Sequence, residues 1–183
     1  MKNNILFFLA IFVFSLTAQA QDKEINWMTF EEAIAAQTKN PKKIMMDAYT
    51  DWCGPCKLLD KNTFQNPDVI KYVNENYYAV KFNAEGDTVI EYQGQVFKNP
   101  NFIPGQTGRN AQHQFAGSLQ INAYPSIVFF DEQGNPIVPL PGYKTPGQLE
   151  LYLKLFLNDT HKEITTQEDW DKYQKDFVNE FKG

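Results

Sequence analysis

Both cysteines of the chain stand two residues apart in the stretch Asp47-Ala48-Tyr49-Thr50-Asp51-Trp52-Cys53-Gly54-Pro55-Cys56-Lys57. Before it, Lys43-Ile44-Met45-Met46 reads as an apolar strand; after it, Lys57-Leu58-Leu59-Asp60-Lys61 reads as a helix. A strand that turns into a helix at Cys-x-x-Cys puts the first sulfur at a helix N-terminus, where unpaired amides and the positive dipole end favour an anion. The thiolate is the reactive form, so Cys53 is expected to have a lowered pKa and to act as nucleophile. Cys56, nearly one turn further on, is expected to be the more buried and to act as the resolving thiol. A bridge between them closes a very small loop and stabilises little by loop entropy. The pair therefore points to chemistry rather than to a structural staple.

Trp52-Cys53-Gly54-Pro55-Cys56-Lys57 resembles the active site of thioredoxin. Asp47, six residues before Cys53, matches the family's buried acid, and Ala123-Tyr124-Pro125-Ser126-Ile127-Val128-Phe129-Phe130 resembles the segment carrying the family's cis-proline. Lys61-x-Thr63-Phe64-x-Asn66-Pro67-x-Val69 is similar to exported thioredoxin-like proteins related to the C-terminal domain of the periplasmic thiol:disulfide interchange reductase. The resemblance implies a thioredoxin-like α/β fold: a central mixed sheet flanked by helices, here with an insertion and an extra C-terminal helix.

It also implies roles. Cys53 and Cys56 would form the redox-active disulfide, with no other cofactor. Asp47 would take the proton of Cys56, its own pKa raised by burial. Trp52, Gly54, Pro55, Tyr124 and Pro125 would meet the substrate, whose chain would pair with the Tyr124 backbone as an added strand. Lys81 would tune Asp47, and Gly142 matches a glycine close to the family's active site. Tyr124 replaces a commoner small or branched residue, which leaves substrate preference open. Gly54-Pro55 is the thioredoxin dipeptide and goes with a reducing potential, on the order of −270 mV.

The N-terminus reads as a secretory signal peptide over residues 1–20: Lys2, an apolar run from Ile5 to Leu16, and Ala18-Gln19-Ala20 as the cleavage pattern. Without it the charge is −6, from 16 basic and 22 acidic side chains. That acidity argues against nucleic acid or an anionic membrane as partner. The remaining chain of about 160 residues suffices for one domain with its own core. The expected organisation is a thioredoxin-like domain over 21–158, with an insertion over about 86–117, then a helical extension over 159–183 packed on the domain. The expected location is periplasmic and soluble.

Local patterns fill in the order. Thr29 with Glu32 fits a capping box opening a helix to about Thr38. Asn66-Pro67 caps another, and Thr145-Pro146 opens the closing helix. Val89 to Phe97 is expected to be helical, and Lys98 to Gln114 an ordered loop. Thr165 with Glu168 fits a capping box for a tail helix carrying Trp170, Tyr173, Phe177 and Phe181 at helical spacing.

A zinc site would need two further ligands. The only histidines, His113 and His161, lack ligand spacing, so no metal is expected. A Cys–His hydrolase would need a histidine oriented by a third group, and none is indicated. The reaction expected is thiol–disulfide exchange on protein disulfides, with electrons from a membrane thiol reductase. An oxidase or isomerase shares the fold, and a redox-sensitive partner-binding module is the alternative outside enzymes.

Overall fold

The computed structural model describes residues 22–182. The signal peptide expected over residues 1–20 lies outside the described residues. Five strands form the main sheet in the order β1 (Trp27–Met28), β3 (Tyr77–Asn83), β2 (Lys43–Tyr49), β6 (Ser126–Phe130), β7 (Pro136–Pro141). β1 and β2 run parallel to β3, whereas β6 runs antiparallel to both β2 and β7. The sheet is therefore mixed, and the proline-rich β7 lies at its edge, where missing amides cost no ladder bonds.

The central strand β2 is apolar and buried along almost its whole length. Its two-residue alternation sends Ile44, Met46 and Ala48 into one core and Met45 into the other. Asp47 shares the face of Met45, together with Leu59 of α2 (Gly54–Asn62). That parity aims the carboxylate towards the helix carrying Cys56. The Met45 face packs on α3 (Pro67–Asn76) and α5 (Pro146–Leu157), through Val69, Val73, Leu149 and Phe156. The opposite face packs on α1 (Phe30–Lys39) and the short α4 (Gln114–Ser118).

The helix ends follow the sequence closely. Thr29 Oγ accepts from the Glu32 amide at 3.2 Å, and Glu32 accepts the Thr29 amide at 2.8 Å. Asn66 accepts the amides of Asp68 and Val69, with Pro67 opening α3. Thr145 and Gln148 cap α5 reciprocally. The tail differs by one residue: α6 (Gln167–Asp176) is capped by Thr166 and Asp169, not by Thr165 and Glu168. Asp169 accepts both the Thr165 and Thr166 amides, at 3.1 and 2.9 Å. The helix stops before Phe177, and an extended segment carries Phe181 back to Tyr72, ring centroids 5.5 Å apart. Glu150, fully buried on α5, receives the amides of Glu180 and Phe181 at 2.9–3.0 Å.

The insertion also departs from expectation. Val89 to Phe97 forms no helix; it is a hairpin of β4 (Ile90–Tyr92) and β5 (Gln95–Phe97). Gln93 and Gly94 both adopt positive φ, +51° and +75°, the geometry of a two-residue hairpin turn. Tyr92 and Phe97 then fold onto Phe115, with Tyr92 also against Phe30. The Tyr92 hydroxyl donates to the Gly134 carbonyl at 2.8 Å. Replacing Tyr92 with Phe deletes only that bond, so urea unfolding should show a loss of about 1 kcal/mol with an unchanged m-value.

Candidate active site

The Cys53 and Cys56 sulfurs are bonded to each other at the start of α2. Cys53 is the N-cap, and its Sγ accepts the Cys56 amide at 3.1 Å. Pro55 lies in the first turn, where its missing amide has no helical partner to lose. Gly54 is exposed, and a Cβ there would meet nothing within 4 Å. The expected asymmetry in burial is absent: Cys53 is 1% and Cys56 2% exposed. Both sulfurs are covered in this disulfide form.

Asp47, on the central strand β2, is 1% exposed. Burial raises its pKa to about 6, against the lowering pull of Lys81. Lys81 stands opposite Asp47 in the β2–β3 register, and its Nζ donates to Asp47 Oδ2 at 2.7 Å. Asp47 Oδ1 accepts no hydrogen bond. Lys81 also binds Asp60 of α2, a residue the sequence reading passed over. Its ammonium sits over the rings of Trp27, Tyr49 and Phe64, at 4.7–5.3 Å from their centroids. Burial works against the lysine's charge, but Asp47 and Asp60 outweigh it and hold its pKa above the ordinary value. The signal for Asp60 was available: it follows Cys56 by four residues, one helical turn, on the same helix.

The Tyr124–Pro125 peptide bond is cis. Gly142, at φ +85°, donates its amide to the Pro125 carbonyl at 2.7 Å, which ties β7 to the cis-proline turn. Tyr124 and Trp52 meet edge to face, centroids 6.2 Å apart. The structure thus sets Trp52 against Tyr124, ties Gly142 to Pro125 and pairs Lys81 with Asp47.

The insertion reaches the same place. Glu85 Oε2 accepts both Trp52 Nε1–H and the Asn110 amide, each at 2.7 Å. The Arg109 guanidinium lies 4.7 Å from the Trp52 ring centroid, and Gln112 Nε2 donates to the Tyr124 hydroxyl at 3.4 Å. His113 is a structural residue: its Nδ1 accepts the Phe115 amide at 3.0 Å and caps α4, so Nε2 carries the proton donated to the Thr88 carbonyl at 2.7 Å. Burial lowers its pKa, which keeps the ring neutral. Among the described residues no group of three or more His, Cys, Asp or Glu side chains is arranged to hold a metal ion. No described helix is long and apolar enough to cross a membrane.

This combination of mixed sheet, helix-capping disulfide and buried acid defines a thioredoxin-type redox protein. Residues 30–157 match the thioredoxin-like domain family, and the chain belongs to that family. A thiol:disulfide interchange protein, DsbD, of Pectobacterium atrosepticum is 28% identical over 148 residues; the match covers 76% of this chain and 21% of that protein. The chain thus spans about a fifth of the length of that relative. A thioredoxin-fold protein from Helicobacter pylori shares the fold with a TM-score of 0.57 at 19% identity, over 74% of this chain and 81% of that one. A thioredoxin from Thermus thermophilus does so with a TM-score of 0.54 at 13% identity, over 73% and 87%.

Proposed function

We propose that this protein is an exported thiol–disulfide oxidoreductase that reduces protein disulfides through Cys53 and Cys56. The observation that carries the reading is the bonded cysteine pair at a helix N-terminus with a buried carboxyl, Asp47, whose Oδ1 is free to take a proton.

In the reduced protein the Cys53 thiolate attacks a substrate disulfide. One substrate sulfur leaves as thiolate, and a Cys53–substrate disulfide forms. Cys56 then loses its proton to Asp47 and attacks Cys53 Sγ. The second substrate sulfur leaves, and the Cys53–Cys56 bond closes. The substrate gains two electrons and, with solvent protons, two thiols; the enzyme loses the same two electrons. Asp47, with its pKa near 6, is ionised at neutral pH yet basic enough to accept a proton there. Trp52 and the cis-Pro125 turn present the substrate chain to the sulfur, and Lys81 holds Asp47 in place.

The electrons that restore the dithiol would come from a membrane thiol reductase, a partner supported by the similarity to part of a thiol:disulfide interchange protein. The site of action would be the periplasm, reached after removal of residues 1–20, since an oxidising compartment needs such a supply. The test is direct: the pre-reduced protein should reduce insulin disulfides stoichiometrically and end with Cys53 and Cys56 bonded.

A further inference from the structure

The reductase reading leaves the substrate unselected, and the insertion supplies a place for selection. Resting on that reading, we infer that the cleft between the insertion and Trp52 is a subsite for a basic side chain, lysine or arginine, on the polypeptide flanking the disulfide to be reduced. The cleft encloses about 440 Å³. Asp51, Trp52 and Glu85 line it from the domain, and Phe102, Gln106 and Asn110 from the insertion. Trp52, which lines the cleft, directly precedes Cys53 in the chain.

The lining chemistry selects for a cation. Two acidic residues, Asp51 and Glu85, line the cleft; no lysine or arginine is among its lining residues, and Arg109 lies beside it on the Trp52 ring. Trp52 and Phe102 add aromatic surface, on which an ammonium or guanidinium is attracted to the ring face. Glu85 is 9% exposed, and both of its bonds fall on Oε2. Among the described residues Oε1 makes no protein hydrogen bond, so one oxygen of this largely buried side chain is available to a guest.

The wall is also held in advance of binding. The same Glu85 oxygen ties the Trp52 indole to the backbone of Asn110 across the cleft. Gly105 and Gly108 bend the wall at positive φ, +75° and +88°.

Arg109 is an independent pointer. It is the only arginine in the chain, and its guanidinium rests against Trp52. The indole therefore already accepts the chemical group proposed for the guest. Arg109 is exposed, so an incoming side chain can displace it.

The experiment uses the full protein, reduced and separated from reductant, in single-turnover reaction with three cyclic disulfide peptides. They differ only in the residue after the cysteine: arginine, its neutral isostere citrulline, or glutamate. The arginine peptide should react about tenfold faster than the citrulline peptide, with glutamate slowest. The preference should shrink at about 1 M salt, where exposed charges are screened beyond roughly 3 Å. Asp51→Asn should bring the arginine-to-citrulline ratio towards one, and Arg109→Ala, which clears the indole, should widen it. Structural damage would instead slow all three peptides alike and leave the ratio intact. Equal rates for the three peptides with the unmodified protein overturn the subsite while leaving the reductase reading standing. Failure to reduce any of them overturns the reductase reading, and the subsite with it.

Discussion

Cys53→Ser should reduce insulin turnover to the uncatalysed level, a loss of roughly 10³-fold or more. A serine hydroxyl at the same N-cap can still accept the Cys56 amide, so the fold and the helix end survive. It cannot form a thiolate at neutral pH, and Cys56 is the third residue of the helix rather than its cap. The paired variant, Cys56→Ser, should attack normally and then stall. A mixed disulfide between Cys53 and the substrate should accumulate, visible as an added mass that dithiothreitol removes. A protein that used the dithiol only as a redox-sensitive latch would keep its partner in Cys53→Ser and show no turnover to lose. Turnover that survives in Cys53→Ser would remove this cysteine from the chemistry.

Asp47→Asn should separate stability from rate. In the folded protein the carboxyl holds its proton up to about pH 6, whereas the ordinary value is 3.8. Between those limits the folded state binds more protons than the unfolded state, so stability falls as pH rises through the window. Below about pH 4 the carboxyl is neutral in both states and the penalty is absent; above pH 6 it is fully present. A shift of about two units corresponds to roughly 3 kcal/mol. Asparagine does not ionise, so the variant should gain about that much on the native protein between pH 4 and pH 7, read by urea unfolding of the oxidised forms. The same change should slow the resolving step by about a hundredfold and erase a rate limb rising near pH 6. An Asp47→Asn protein with an unchanged pH profile would remove the carboxyl from proton transfer.

Much of this site was legible because its geometry is set by short-range rules. Strand parity fixes the face of Asp47 and the helix start fixes Cys53, whereas Lys81 was indicated by the family resemblance and is brought opposite Asp47 by the register across β2 and β3. Caps such as Thr29 with Glu32 are equally local. The misses have long-range causes. Val89 to Phe97 holds two three-residue strands that are individually too short to show a period, and its docking depends on Phe115, distant in sequence. Glu150 interrupts an apolar helix face; Lys154 one turn on is a local partner, but its burial is explained once the tail's amides return to it. Lys43 begins the central strand yet is fully buried, because Glu132 and Asp159, about 90 and 115 residues away, meet its ammonium at 2.7 and 2.9 Å. The tie from Glu85 to Trp52 and Asn110 likewise needs the insertion to fold back before it can be seen.

The reduction potential of the Cys53–Cys56 pair tests the central claim most directly, by equilibration against glutathione and against buffers in the thioredoxin range. A protein-disulfide reductase with a Gly-Pro dipeptide should lie at or below about −250 mV. A value above about −180 mV would mean a destabilised disulfide and an oxidising or isomerising role, and would contradict the assignment.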